Sequence, residues 1–115
     1  MEKNLHIALL LDYYGGLLTQ KQRDLVDLYY NEDLSLGEIA EQENITRQGV
    51  RDSIKRGEQA LAEYENILKF AARSAKLLKV AAVLETAADL AEAANTAAGK
   101  TMLKAAADIR KILEE

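Results

Sequence analysis

Proline, cysteine and tryptophan are absent from this 115-residue chain, and glycine occurs only six times. Without cysteine no disulfide framework can form, which is consistent with a reducing compartment and sets the expectation of a cytoplasmic protein. Without proline and with few glycines, little interrupts a helix, and abundant Ala, Leu, Glu and Lys favour helix at nearly every position. An all-α fold follows. The single histidine, His6, has no cysteine to join it and no acids clustered around it at ligand spacing, so no metal or other cofactor is expected. There is neither a Ser/His/Asp set nor a phosphate-cradling glycine loop, and the acids fall on polar faces; the chain does not read as an enzyme. The apolar run from Ile7 to Leu11 is too short for a signal core and follows the acidic Glu2. No window approaches the roughly 20 apolar residues that span a bilayer, so a soluble protein without membrane insertion is expected.

Positive charge is also scarce overall. The net charge is −4, the wrong sign for a protein whose main task is a broad grip on phosphate. The charge is nevertheless segregated. Residues 1–45 carry nine acids and three bases, whereas residues 46–79 carry eight bases and four acids.

Periodicity and capping signals divide the chain into helices. A first helix runs from about Asn4 to Tyr14, with Leu5, Leu9 and Tyr13 on one side and Ile7, Leu11 and Tyr14 on another, which implies burial on more than one face. Gly15 and Gly16 form a joint. Thr19 and Gln22 make a capping box for a second helix lined by Leu25, Leu28 and Tyr29 and closed by Asn31-Glu32-Asp33. Ser35 and Glu38 make another, opening a short third helix that ends at Asn44, a residue that tolerates the left-handed backbone of a tight turn. Thr46 caps a fourth helix. From there one apolar seam runs through Ile54, Gly57, Leu61, Tyr64, Leu68, Ala71, Ala75, Leu78 and Ala82, and a second through Leu77, Val80, Leu84, Ala87, Ala91, Ala94 and Ala98. The change of seam predicts a bend or break between Leu68 and Lys79, and Gly99 is expected to end the helix before a last one with Met102, Ala106, Ile109 and Leu113 inward. Fifteen of the 37 residues from Ala71 to Ala107 are alanine. Such small side chains bury little area each, so this tail needs a continuous partner surface, either in the same chain or in a second copy as a homodimer. The tyrosine pairs Tyr13-Tyr14 and Tyr29-Tyr30 sit beside leucines at core spacing and read as core residues with their hydroxyls at the edge.

The stretch "SLGEIAEQENITRQGVRDSIKR", from Ser35 to Arg56, carries the most specific pattern. Ala40 is small where a second helix crosses it, Ile45 plugs the corner, and Val50 and Ile54 face inward. This is the spacing of a helix-turn-helix. Thr46, Arg47, Gln48, Arg51, Asp52 and Lys55 then point outward, where Arg and Gln can read base edges and Lys can meet phosphate. Thr46, Arg47, Gln48, Arg51, Lys55 and Arg56 are therefore the candidate residues for nucleic-acid or partner binding; the alternative is a solvated face with Arg51 and Lys55 beside Asp52 and Glu58. A secondary basic stripe of Lys69, Arg73, Lys76 and Lys79 suits an anionic partner or simply solubilises the tail.

Several motifs together resemble the YlxM family of small bacterial helix-turn-helix proteins, which are similar to region 4 of sigma-70 factors. They are Leu17-Leu18-Thr19 with Lys21-Gln22-Arg23, Leu28-Tyr29-Tyr30, Ser35-Leu36-Gly37-Glu38-Ile39-Ala40, Thr46-Arg47-Gln48-Gly49-Val50 and Ile54-Lys55-Arg56. The resemblance covers about residues 5–66. It implies a sigma-70 region 4-like helix-turn-helix domain over residues 1–66; the remainder, 67–115, reads from its own composition as a long, alanine-rich helical extension packed on the domain or forming a dimer interface. The resemblance also implies a non-catalytic accessory or regulatory protein of the signal recognition particle pathway, with the targeting GTPase and/or its RNA as partners. A DNA-binding transcriptional regulator acting as a dimer is the alternative, and a protein adaptor a third. The chain departs from the family pattern at Glu43, where a large apolar side chain usually seals the third helix, and at Arg51, where an aromatic is common.

Overall fold

Helix follows helix from Leu5 onward because almost every turn between them is built from a side-chain cap rather than from proline or glycine. In the computed structural model, which describes residues 3–90 and 95–114, the elements are α1 (Leu5–Tyr14), a 3₁₀ turn (Gly15–Leu17), α2 (Gln20–Tyr30), α3 (Leu36–Glu43), α4 (Arg47–Leu68), α5 (Phe70–Leu90) and α6 (Ala97–Glu114). The chain divides into two compact units that meet between Ala71 and Ala72. None of the helices is long and apolar enough to cross a membrane among the described residues.

In the first unit α4 is the spine, and α1, α2 and α3 all pack on it. Its buried face is Val50, Ser53, Ile54, Gly57 and Leu61. Around it gather Ile7, Leu10, Leu11 and Tyr14 of α1, Leu18, then Leu25, Val26 and Tyr29 of α2, and Ile39 of α3. Both capping boxes form: Thr19 with Gln22 and Ser35 with Glu38 each exchange two hydrogen bonds. Burial of α1 on more than one face does not occur. Leu5, Leu9 and Tyr13 stay exposed, because α2 and α4 cover only the side carrying Ile7, Leu10, Leu11 and Tyr14.

The expected break falls at Lys69, whose backbone is left-handed (φ 58°). No glycine or short polar residue marks it. The cap comes from far away in the chain: the Phe70 N–H donates to the Tyr14 hydroxyl (3.0 Å), the Ala71 N–H donates to Glu65 Oε1 (3.0 Å), and the Tyr14 hydroxyl donates to the same carboxylate (2.6 Å). These two oxygens satisfy N–H groups that open α5 and would otherwise lack acceptors. Tyr14 is buried and stacks on Phe70 at 6.1 Å between centroids. Tyr14→Phe keeps that stacking and removes only the oxygen. It should cost about 1–2 kcal/mol in urea unfolding, since a partly buried donor loses its acceptor.

Tyr30 closes a similar three-way contact. Its hydroxyl donates to Glu58 Oε1 (2.7 Å) and accepts from the Asn4 N–H (3.3 Å), tying α2 to α4 and to the start of α1. Burial first, and then the bond to Glu58, push its pKa up to about 12. Burial and the bond to Glu65 raise Tyr14 in the same order. The fold thus favours the neutral phenols. Their stabilisation is complete below the unfolded value of 10.0 and is lost as pH rises through the folded values, about 12 for Tyr30. Ultraviolet titration of the phenols should accordingly show late-ionising tyrosines whose ionisation accompanies loss of helicity, and Tyr30→Phe should remove one of them.

In the second unit Ala81, Ala88 and Ala106 are completely buried, and Arg110 pairs with Glu85 through two hydrogen bonds (3.1 and 2.6 Å), joining α6 to α5. The two seams expected here are replaced by a different face. Ala75, Leu78 and Ala82 of the first, and Leu77, Val80 and Ala87 of the second, are exposed, while Ala81 and Ala88 take the buried side of α5. Ala91 and Ala94 lie outside the described residues. Gly99 does not end a helix. It is buried in the first turn of α6, where its N–H donates to the Thr96 hydroxyl (2.9 Å).

Candidate nucleic-acid interface

The angle between α3 and α4 is set by backbone chemistry at three residues. Asn44 adopts the left-handed conformation (φ 55°, ψ 45°). Its N–H donates to the Glu41 carbonyl (3.4 Å), and the Ile45 N–H reaches back to the Ala40 carbonyl (3.1 Å). That pair of bonds is a Schellman motif, and Ile45 and Ala40 both pack on the core beside it. Thr46 then caps α4, its hydroxyl accepting from the Gly49 N–H (2.9 Å). A Cβ at Gly49 would lie 3.0 Å from that hydroxyl oxygen, so glycine keeps the cap unobstructed. Glu43 is exposed and Ile39 fully buried: the short helix packs without an apolar seal at its end.

With Val50 and Ile54 completely buried, the outward face of α4 is defined. Arg47, Gln48, Lys55 and Arg56 are exposed, and Arg51 is half-buried at the flank. Arg47, Arg51 and Lys55, spaced four apart, make a row about 12 Å long along one side of the helix, and Arg56 is roughly 100° around from Lys55, on the other side. Thr46 is exposed, but its hydroxyl already serves as the cap.

Two acids lie nearby without forming an ion pair to the row, each hydrogen-bonded to a neutral group and keeping its charge. Asp52 accepts from the Gln48 side-chain amide (3.0 Å), and Glu58 accepts from the Tyr30 hydroxyl. Among the described residues, Arg47, Arg51, Lys55 and Arg56 form no ion pair. Four cations without ion pairs among the described residues therefore stand within three turns of helix, offset in part by the exposed Asp52. At contact distance a unit charge in such a setting interacts with an incoming anion at a few kcal/mol or less, about 1 in bulk water and about 4 where the effective dielectric is 20.

Lys3 joins this surface without any sequence signal. Its ammonium pairs with Asp33 and lies 4.6 Å from the centre of the Tyr29 ring. A cleft of about 360 Å³ lined by Lys3, Tyr29, Asp33, Ser35, Glu38 and Arg47 brings it beside the first residue of α4. Only tertiary packing could bring these two cations together.

The second basic group is assembled differently from the expectation of one helical arc. Lys69 is the left-handed joint and not a helical residue, because the Tyr14–Glu65 cap restarts the helix one residue later. Arg73, Lys76 and Lys79 are exposed on α5. Among the described residues no group of three His, Asp or Glu side chains is close enough to hold a metal ion.

A short α3, a left-handed turn and a long α4 with a cationic outer row, packed on α1 and α2, define an all-α helix-turn-helix protein. Comparison with known proteins makes this specific: residues 1–100 match the model of the family UPF0122, described as "Putative helix-turn-helix protein, YlxM / p13 like". The chain belongs to that family. A UPF0122 protein of Desulforamulus reducens is 54% identical over 83 residues, covering 69% of this chain and 71% of the relative. One from Halalkalibacterium halodurans is 45% identical over 89 residues, covering 77% and 82%, and one from Acetivibrio thermocellus is 57% identical over 68 residues, covering 59% and 58%.

Proposed function

We propose that this protein is a non-catalytic, cytoplasmic accessory factor of the signal recognition particle pathway, whose α4 surface contacts the particle RNA or the targeting GTPase. The observation that carries the reading is the row Arg47, Arg51 and Lys55, free of ion pairs among the described residues, on the outer side of a helix-turn-helix. The pathway is part of the proposal and rests on the resemblance to the YlxM family alone. An acidic chain with one concentrated cationic face suits a partner met at a defined place better than general attraction to duplex DNA. The test is a gel shift with purified particle RNA, alone and with the GTPase. A retarded complex that weakens steeply with added salt is expected, and no complex at low salt in either condition would refute the proposal.

Gln48 beside Arg47 and Arg51 favours a second reading, a dimeric transcriptional regulator, since these side-chain types pair with adenine and guanine edges. Under it, selection from randomised duplexes returns a palindrome and Arg51→Ala relaxes one position of it. Recovery of no motif removes this alternative.

A further inference from the structure

The break between α4 and α5 has none of the local chemistry that ordinarily makes one. Residues 64–74, "YENILKFAARS", contain neither glycine nor proline. The single residue between the helices, Lys69, holds φ 58° and ψ 27°, a left-handed conformation that a side chain with a Cβ adopts against a penalty of roughly tenfold. Lys69 also occupies the position before α5 where Ser, Thr, Asp or Asn would supply a cap. In its place the Tyr14 hydroxyl and the Glu65 carboxylate accept from the Phe70 and Ala71 N–H groups. All of these groups belong to the first unit. The Lys69 N–H already makes the helical bond to the Glu65 carbonyl (2.8 Å). Turning Lys69 to the right-handed region would give the next two N–H groups the Asn66 and Ile67 carbonyls, four residues back. Helix would then run unbroken from Arg47 to Leu90, about 66 Å.

We propose that the Lys69 joint is a two-state switch, held as two helices by the Tyr14–Glu65 cap and closing into one continuous α4–α5 helix when that cap is withdrawn. Each state holds what the other gives up. The broken state keeps two side-chain caps and the stacking of Tyr14 on Phe70. The continuous state gains the helical bonds at Phe70 and Ala71 and frees Lys69 from the left-handed region. No residue in the segment opposes it, since glycine and proline, the strongest helix breakers, are both missing. Tyr14 is the last residue of α1, so the switch is linked to the seating of that helix on α4. A partner that draws the end of α1 away removes an acceptor, and it favours the single helix by its preference for that state. The inference is independent of the ligand proposed for the outer row of α4.

Distances between spin labels at Gln59→Cys and Lys79→Cys test it; both positions are exposed, and the full chain has no native cysteine. One continuous helix sets the two Cα atoms about 30 Å apart, and any break shortens that separation. Tyr14→Phe should raise the ratio of the long to the short population about tenfold, and adding Glu65→Ala about tenfold again, making the long distance the major one. Lys69→Gly in the double variant should reverse the ratio about tenfold, because glycine enters the left-handed region freely and is disfavoured within a helix. Helicity by circular dichroism should not fall, as two helices become one. A Tyr14→Phe chain that keeps its helicity and shows no population near 30 Å overturns the proposal, whether or not the double variant folds. Faster hydrogen exchange at Phe70 and Ala71 without the long distance overturns it too, since the helix ends would then be fraying and not joining.

Discussion

Gly57→Ala should destabilise the protein by about 2 kcal/mol, although alanine in a helix interior is ordinarily worth about 1 kcal/mol more than glycine. The added Cβ would lie 2.8 Å from Val26 Cγ2 and 3.7 Å from Gln22 Cβ. Val26 is completely buried and its β-branched side chain has no alternative rotamer of comparable energy in a helix, so the clash must be relieved by moving α2 from α4. At roughly 4 °C per kcal/mol for a domain of this size, the melting temperature should fall about 8 °C. A stabilised Gly57→Ala variant would show that the two helices do not meet as closely as the structure has them. The position matters for function because the close contact of α2 with the buried face of α4 fixes the direction in which the outward row points.

Arg47→Glu combined with Lys55→Glu should reduce affinity for particle RNA roughly 100-fold at low salt, two attractive phosphate contacts being replaced by repulsive ones. Both side chains are exposed and without ion pairs among the described residues, so the fold loses no partner. A glutamate in the first turn of a helix is moreover favoured by the helix dipole. The thermal midpoint should therefore stay nearly constant while binding collapses. Asp52→Ala is the complementary change: it removes the one acid on this face and should tighten binding about twofold to fivefold.

Local signals carried the first unit well. Both capping boxes, the left-handed Asn44, the inward Val50 and Ile54 and the outward Arg47 and Lys55 depend on residues within four positions of one another, the range over which helix geometry is fixed by sequence spacing. The misreadings have a common origin in tertiary contacts. Tyr14 is far in sequence from the helix it caps, so the stop at Lys69 could be placed only within a range, and the register of everything beyond it slipped. Gly99 carries the residue type of a helix end yet lies in the first turn of α6, since what counted was Thr96 before it. Alanine seams in the tail were ambiguous because a small apolar side chain at any of several phases gives the same pattern, and the choice falls to the larger Glu85–Arg110 contact. Lys3 comes to share a cleft with Arg47 only through the packing of α1 and α2 on α4, and its pairing with Asp33 has no counterpart in periodicity.

The salt dependence of RNA affinity tests the α4 surface most directly. With Arg47, Arg51 and Lys55 each neutralising a phosphate, log K against log salt should fall with a slope of about −2 for single-stranded regions, and Lys55→Ala should make it shallower by about 0.7. An affinity that ignores salt, or a slope that Lys55→Ala leaves unchanged, would mean that this cationic row is not where the ligand is held.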